Sequence, residues 1–514
     1  MNYKILAKLL GKIMVLEGAL MTAPLLVSLI YREGMRQAIA FLLPALVLLV
    51  LGFAAQRLRP VRNTLYQKEG FALVALAWIV MTLFGAVPFV INGDIPNYID
   101  ACFEIMSGFT TTGASVIGDI TTVFHSTLFW RSFSHWIGGM GILVFILIFI
   151  PEGNEGSSMH LLRAESPGPQ VGKLVSKMKV TTRILYLIYL GLTLVEIIIL
   201  LFAKPIPGYE SDHVFNSILA AFGCAGTGGF GFIPGSIELF PAFAQYVMAI
   251  FMLLFGCNFA LYYLILVGKI KDVLQSEELR TYCLVVFAAV AVIFVALMGR
   301  LQGATLDYSG EEAFRHSFFQ VASILTTTGY TTADFNTWPM ISLAVIVFLM
   351  FLGGMAGSTA GGTKISRFVI GLKGFGITIR KLINPRYVPH AKLEGKTLSE
   401  KTITGVYSYY SLYFILLLLV VFLLSFDPVC GRETEIVLTD GTSYTVTHGF
   451  TTNFTASMSC LCNIGPGFEA VGPYASFAAY SGFSKILLTI TMLVGRLEIL
   501  PVLVLFSAKT WKKN

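Results

Sequence analysis

Four glycine-centred strings carry the residue types from which a cation site can be built. They are Phe109-Thr110-Thr111-Thr112-Gly113-Ala114, Cys224-Ala225-Gly226-Thr227-Gly228-Gly229, Leu325-Thr326-Thr327-Thr328-Gly329-Tyr330 and Leu461-Cys462-Asn463-Ile464-Gly465-Pro466. A dehydrated K⁺ recovers its hydration energy from a ring of oxygens, and backbone carbonyls supply them where small residues let the chain extend. Glycine admits the positive φ that turns carbonyls toward one axis. With Gly113, Gly228, Gly329 and Gly465 taken as the common glycine, the spacings are 115, 101 and 136 residues, one module with variable loops. The expected K⁺-binding set is Thr111, Thr112 and Gly113, then Gly226, Thr227 and Gly228, then Thr327, Thr328 and Gly329, then Asn463, Ile464 and Gly465. An acidic residue follows each string, Asp119, Glu238, Asp334 and Glu469, read as an outer vestibule that concentrates cations, against the blander reading of solvated loop acids.

Two further features fit a barrier on the inner side. The stretch Gly353-Gly354-Met355-Ala356-Gly357-Ser358-Thr359-Ala360-Gly361-Gly362 holds a helix poorly, so a break is expected there, beneath the third string. Gly353, Gly354, Gly357, Gly361 and Gly362 are therefore assigned to a gate, against the blander reading of a small-residue packing surface. Arg496 stands inside the last apolar run, where an arginine costs about 2.5–3.5 kcal/mol unless it faces protein or water. It is assigned to the same gate as a positive charge on the ion path, against a structural pairing with a neighbouring helix.

These residues resemble the TrkH/Ktr/HKT superfamily of K⁺ transporters, the TrkH branch best. The resemblance rests on the strings TTTGAS, AGTGGFG, TTTGYTTADF and CNIGPGF, and on HWIGGMGI from His135 to Ile142, and covers the chain from about residue 70 onward. It implies K⁺ uptake by a gated, channel-like subunit, an obstructing loop below the third string, and a cytoplasmic TrkA-like nucleotide-binding ring as partner. In plant relatives a serine at the first glycine goes with Na⁺ permeation, so Gly113 implies K⁺.

The elements that must hold these strings are membrane spans. Hydrophobic residues make up 55% of the 514 and charged residues 13%, which excludes a large soluble domain. About ten apolar runs are long enough to cross a bilayer, near 5–30, 37–55, 71–91, 128–150, 184–203, 244–268, 282–298, 339–370, 405–426 and 483–507. The four strings end shorter apolar stretches near 100–112, 213–227, 313–328 and 448–464, which read as re-entrant, because irregular backbone at membrane depth is tolerated only inside protein or along a water-filled path. With both termini in the cytoplasm, most of the 36 Lys and Arg fall on the inner side.

The expected fold is all-α integral membrane: four tandem helix, pore helix, filter and helix repeats around one pore, with two extra N-terminal transmembrane helices. The divisions are 1–69 for the extra pair and 70–183, 184–281, 282–404 and 405–514 for the repeats. Residues 433–447 read as an external hairpin capping the fourth repeat. The basic inner segments, 151–183 and 371–404 with the tail, offer a docking face for the partner or for anionic lipid. A bacterial cytoplasmic membrane and a homodimer complete the expectation.

Other classes fit less well. Gly226 to Gly231 matches GxGxxG and Gly357 to Lys364 approaches a P-loop, but the first lies between apolar segments and the second ends Thr-Lys, so neither implies an organic cofactor. The 7 Cys and 7 His make no metal or catalytic spacing, and no enzyme is expected. The charge of +7 is accounted for by the inner loops, not by nucleic acid. The nearest rival is a K⁺ symporter coupled to H⁺ or Na⁺, since broken helices also mark secondary transporters.

Overall fold

The computed structural model describes residues 1–59, 66–141, 178–299, 308–386, 392–439 and 441–499, together with 502, 503, 505, 507 and 511. It is mainly helical. Among the described residues six helices are long and apolar enough to cross a membrane, and a seventh crossing forms if one sharply bent pair is counted as a span. Their outward faces carry residues such as Leu187, Leu194 and Ile198, exposed apolar side chains that suit contact with lipid.

Near the N-terminus, α1 (Tyr3–Leu20) and its continuation α2 (Thr22–Ile30) lie along α3 (Met35–Gln56), and α4 (Gln67–Gly85) packs on α1. After the brief α5 (Val87–Asn92) the chain makes four short helices within the apolar stretches noted above: α6 (Tyr98–Phe109), α9 (His213–Gly226), α14 (Gly310–Leu325) and α18 (Phe450–Cys462). The sequence sets their starts. Asn97 accepts the Ile99 amide at the head of α6, and Ser309 makes a capping box with Glu312 at the head of α14.

Each short helix is followed by a helix running back inward: α7 (His125–Gly139), α10 (Ala242–Phe255), α15 (Met340–Leu352) and α19 (Gly482–Arg496). The long helices α8 (Met178–Leu201), α13 (Glu277–Leu297), which follows the one-turn α12 (Ile270–Leu274), and α17 (Glu400–Leu424) separate the four sets. The packing is cyclic. α9 lies against α10 and α7, α14 against α15 and α10, α18 against α19 and α15, and α6 against α7 and α19, so the first set touches the last.

The inward helices correct three expected spans. The run 244–268 is α10 and α11 (Phe259–Leu266), bent by 91° at Gly256-Cys257-Asn258, where Asn258 caps the second half by accepting the Ala260 amide. The run 339–370 is α15 and α16 (Ile365–Ile383), separated by the 353–364 segment, so much of the expected inner loop 371–404 is helix. The run 483–507 loses helical geometry after Arg496, where Glu498 and Ile499 take φ of 56° and 70°. The break expected in one set is thus present in three. In the first set the continuation beyond residue 141, with residues 151–177 of the expected docking segment 151–183, lies outside the described residues, and the end of that segment, 178–183, is the first part of α8.

A short antiparallel pair, β1 (Lys392–Leu393) with β2 (Lys396–Thr397), precedes an antiparallel hairpin of β3 (Glu433–Val437) with β4 (Ser443–Thr447), Glu433 opposite Thr447. Asp440 of its turn lies outside the described residues. The hairpin reaches beyond the fourth set: Thr439 donates to Glu238 at 2.6 Å, and Tyr444 donates to Asp334.

Candidate functional site

The four short helices end in the same way. Thr111, Thr227, Thr327 and Asn463 take left-handed φ of 55–57°, and two residues later Gly113, Gly229, Gly329 and Gly465 take φ of 81°, 62°, 86° and 106°. The amide between them, from Thr112, Gly228, Thr328 and Ile464, bonds the carbonyl five residues back, on Ser107, Gly223, Ser323 and Ser459, at 2.8–3.0 Å. Positive φ at every other residue turns successive carbonyls to one side of the chain.

This geometry corrects one register. Gly228 does not stand level with Gly113; Gly229 does, and Gly228 stands level with Thr112, Thr328 and Ile464. Gly226 then falls at the helix end, level with Thr110 and Thr326. The physical reason is that the second string holds three glycines in four residues, so residue identity leaves its register open, whereas the five-back hydrogen bond and the sign of φ do not.

The loops meet in a closed circle. A Cβ on Gly113 would collide with the carbonyl oxygen of Gly228, one on Gly229 with that of Thr328, and one on Gly329 with that of Ile464. At Gly465 a Cβ would stand 2.8 Å from the carbonyl oxygen of Thr112. Thr111, Thr112, Thr227, Thr327, Thr328 and Asn463 are fully buried. Asn463 also donates to the Thr112 hydroxyl at 2.9 Å and to the Met492 carbonyl at 3.0 Å, tying the fourth loop to the first.

Outward of the circle lies a cavity of about 290 Å³ lined by Gly113, Gly229, Gly329 and Gly465 and by the hairpin tip Val437–Thr439. Of the four acidic residues expected there, only Asp119 lines it. Hydrogen bonds from the Thr121 hydroxyl and amide hold this exposed carboxyl below its usual value. Glu238 is taken up by Thr439 and Tyr474, Asp334 by Asn336 and Tyr444, and Glu469 accepts from Thr452 at 2.8 Å.

Inward of the circle lies the 353–364 segment. Gly353, Gly357 and Gly362 have φ of 72°, 77° and 73°. The Gly361 amide donates to the Thr327 hydroxyl at 2.6 Å, and a Cβ on Gly361 would stand 2.5 Å from the Cys462 carbonyl oxygen, so the segment lies directly under the third and fourth loops. Gly354 accepts from the Ile365 amide, and Met355 donates to the Gly256 carbonyl at the bend between α10 and α11. Arg496 reaches the same place. Its guanidinium donates to the Thr359 carbonyl at 3.0 Å and to the Gly139 carbonyl at 2.9 Å, and also to Gly138, linking the segment to the end of α7. Glu498, two residues on, pairs instead with Arg367.

The sequence reading missed Gly229, whose signal was the glycine pair itself, and the buried pair of Glu104 and Arg131, whose signal was a carboxylate inside a short apolar stretch. No group of three or more His, Cys, Asp or Glu side chains that could hold a metal ion occurs among the described residues. The oxygens gathered here are backbone carbonyls.

Residues 40–513 match the family model of TrkH, described as a cation transport protein. The chain is 31% identical to the Trk system potassium uptake protein TrkH of Escherichia coli K12, over the whole of both chains, and 30% identical to TrkG of the same organism, over 99% of each. The crystal structure of the potassium transporter TrkH from Vibrio parahaemolyticus superposes on it with a TM-score of 0.83 at 26% identity, covering all of both chains. This chain belongs to the TrkH family of cation transport proteins and is a multi-pass membrane protein.

Proposed function

We propose that the chain takes up K⁺ across the bacterial cytoplasmic membrane through a K⁺-selective, gated, channel-like path, with four helix, pore helix, filter and helix repeats around one pore and two extra N-terminal helices. The closed circle of four glycine loops, each abutting a carbonyl of the next, carries the reading. K⁺ is the transported ion, held by the carbonyls of Thr111–Gly113, Thr227–Gly229, Thr327–Gly329 and Asn463–Gly465. The ends of α6, α9, α14 and α18 direct their partially negative termini toward the same place, which favours a cation. The names of the relatives, potassium uptake proteins, agree with this cargo.

The 353–364 segment and Arg496 form the gate, and both termini lie in the cytoplasm. The inner face, with its basic residues, receives a TrkA-like nucleotide-binding ring, and two copies of the chain assemble as a dimer. K⁺ and Na⁺ fluxes into liposomes, with and without a proton gradient, test the reading. Flux that prefers K⁺ and follows its own gradient alone is expected. Fixed coupling to H⁺ or Na⁺ would replace it with symport, and absence of K⁺ preference would remove the site assignment.

A further inference from the structure

The four loops are not held from behind in the same way. In the third, the Ser323 hydroxyl donates to the Tyr330 carbonyl at 2.6 Å, and in the fourth the Ser459 hydroxyl donates to the Gly465 carbonyl at 2.7 Å. Each short helix there restrains its own loop. Ser107, level with these serines, has a hydroxyl with no hydrogen-bond partner among the described residues, and the second set has Gly223 at that level. The first and second loops therefore lack the serine tie.

A buried ion pair stands in its place. Glu104, fully buried on α6, accepts from the Ser115 hydroxyl at 2.9 Å and from the Val116 amide at 2.8 Å, just past the first loop. Arg131, 1% exposed on α7, pairs with Glu104 at 2.8 Å. The same guanidinium donates to the Ser115 hydroxyl at 3.2 Å and to the Gly231 carbonyl at 2.9 Å, and covers the Phe230 ring at 4.2 Å. One planar fork thus reaches both loops, a geometry that an ammonium does not reproduce. His135, one turn along α7, completes the support by accepting the Phe230 amide at 3.3 Å and contacting the Gly108 carbonyl at 2.8 Å.

We propose that the Glu104–Arg131 pair is a specificity-determining brace: positioning residues that fix the first and second carbonyl loops, as Ser323 and Ser459 fix the third and fourth, and so set the preference among monovalent cations. The proposal rests on the reading of the circle as the ion-selecting site. Glu104→Gln keeps the shape of the side chain and removes its charge; Ser115→Ala removes only the hydroxyl between the pair and the loop. Trp130→Phe, on the same helix, removes a hydrogen bond to the Gly85 carbonyl while keeping an aromatic ring against Phe109, contacts neither Glu104 nor Ser115 by hydrogen bond, and serves as control.

Full-length protein in liposomes is assayed for its K⁺ to Na⁺ flux ratio under equal gradients, with thermal unfolding measured alongside. Hydrogen bonds to charged groups contribute about 1.5–3 kcal/mol, so Glu104→Gln should lower the ratio about tenfold or more. Ser115→Ala should lower it less, and Trp130→Phe should lose stability at an unchanged ratio. If the folded variants keep the unaltered ratio, the pair is only structural and the proposal fails. Should Glu104→Gln not fold, Ser115→Ala decides alone. Unaltered protein with no K⁺ preference would overturn the site reading itself, and this proposal with it.

Discussion

At the residue scale the circle depends on positions where a side chain has no room. Gly113→Ser is expected to admit Na⁺. The sequence alone treats it as the gain of a hydroxyl, but its Cβ meets the Gly228 carbonyl at a φ of 81°, so the carbonyl itself must move. Na⁺ and K⁺ fluxes into liposomes check this, and an unchanged ratio would count against the circle. Gly229→Ala is expected to lower the K⁺ to Na⁺ ratio as Gly329→Ala does, since both sit left-handed against a neighbouring loop's carbonyl. Left-handed backbone at a non-glycine residue costs about 1–2 kcal/mol before any collision is counted. Retention of the ratio by Gly229→Ala alone would show that the register lies one residue earlier. A single glycine in the string made the register of three of the four loops legible in the sequence; the glycine-rich second loop needed hydrogen bonds to fix it.

At the scale of elements, short buried helices were legible from their length and from polar ends set inside apolar runs. The bends in α10–α11 and after α19 were not, because Cys257-Asn258 and Leu497-Glu498-Ile499 include no cluster of glycines. There the break is imposed by what lies across the axis, such as the Gly256 carbonyl receiving the Met355 amide. Deletion within Gly354–Gly362, or Arg496→Ala, is expected to raise cation flux in the absence of a cytoplasmic partner while K⁺ preference persists. Arginine 496 bonds carbonyls of the segment and of α7 at once, and each such bond contributes about 1.5–3 kcal/mol to holding them together. Flux per folded protein decides the point: a fall in both variants would make the segment and the arginine packing elements only.

At the scale of the whole molecule, the closure of α6 against α19 predicts that one chain contains one complete path. In a dimer made of one unaltered chain and one Gly113→Ser chain, single-channel records should show two independent ion preferences; a single blended preference would place the path between chains. Asp119, the one expected acid that lines the outer cavity, should raise flux at low ionic strength. Its effect should fade near 1 M salt, where screening acts within about 3 Å. Asp119→Asn measured across salt concentrations checks this, and an equal loss at all concentrations would point to a structural role. The sequence by itself determined the solvent, the number of glycine loops and their placement after short helices, since hydropathy and glycine conformation are local properties. Only the tertiary structure decided the register of the second loop, the bends in two further inward helices and the reach of the β3–β4 hairpin to Glu238 and Asp334. It alone brought Arg131 to two loops, because each of these depends on contacts between residues far apart in the chain.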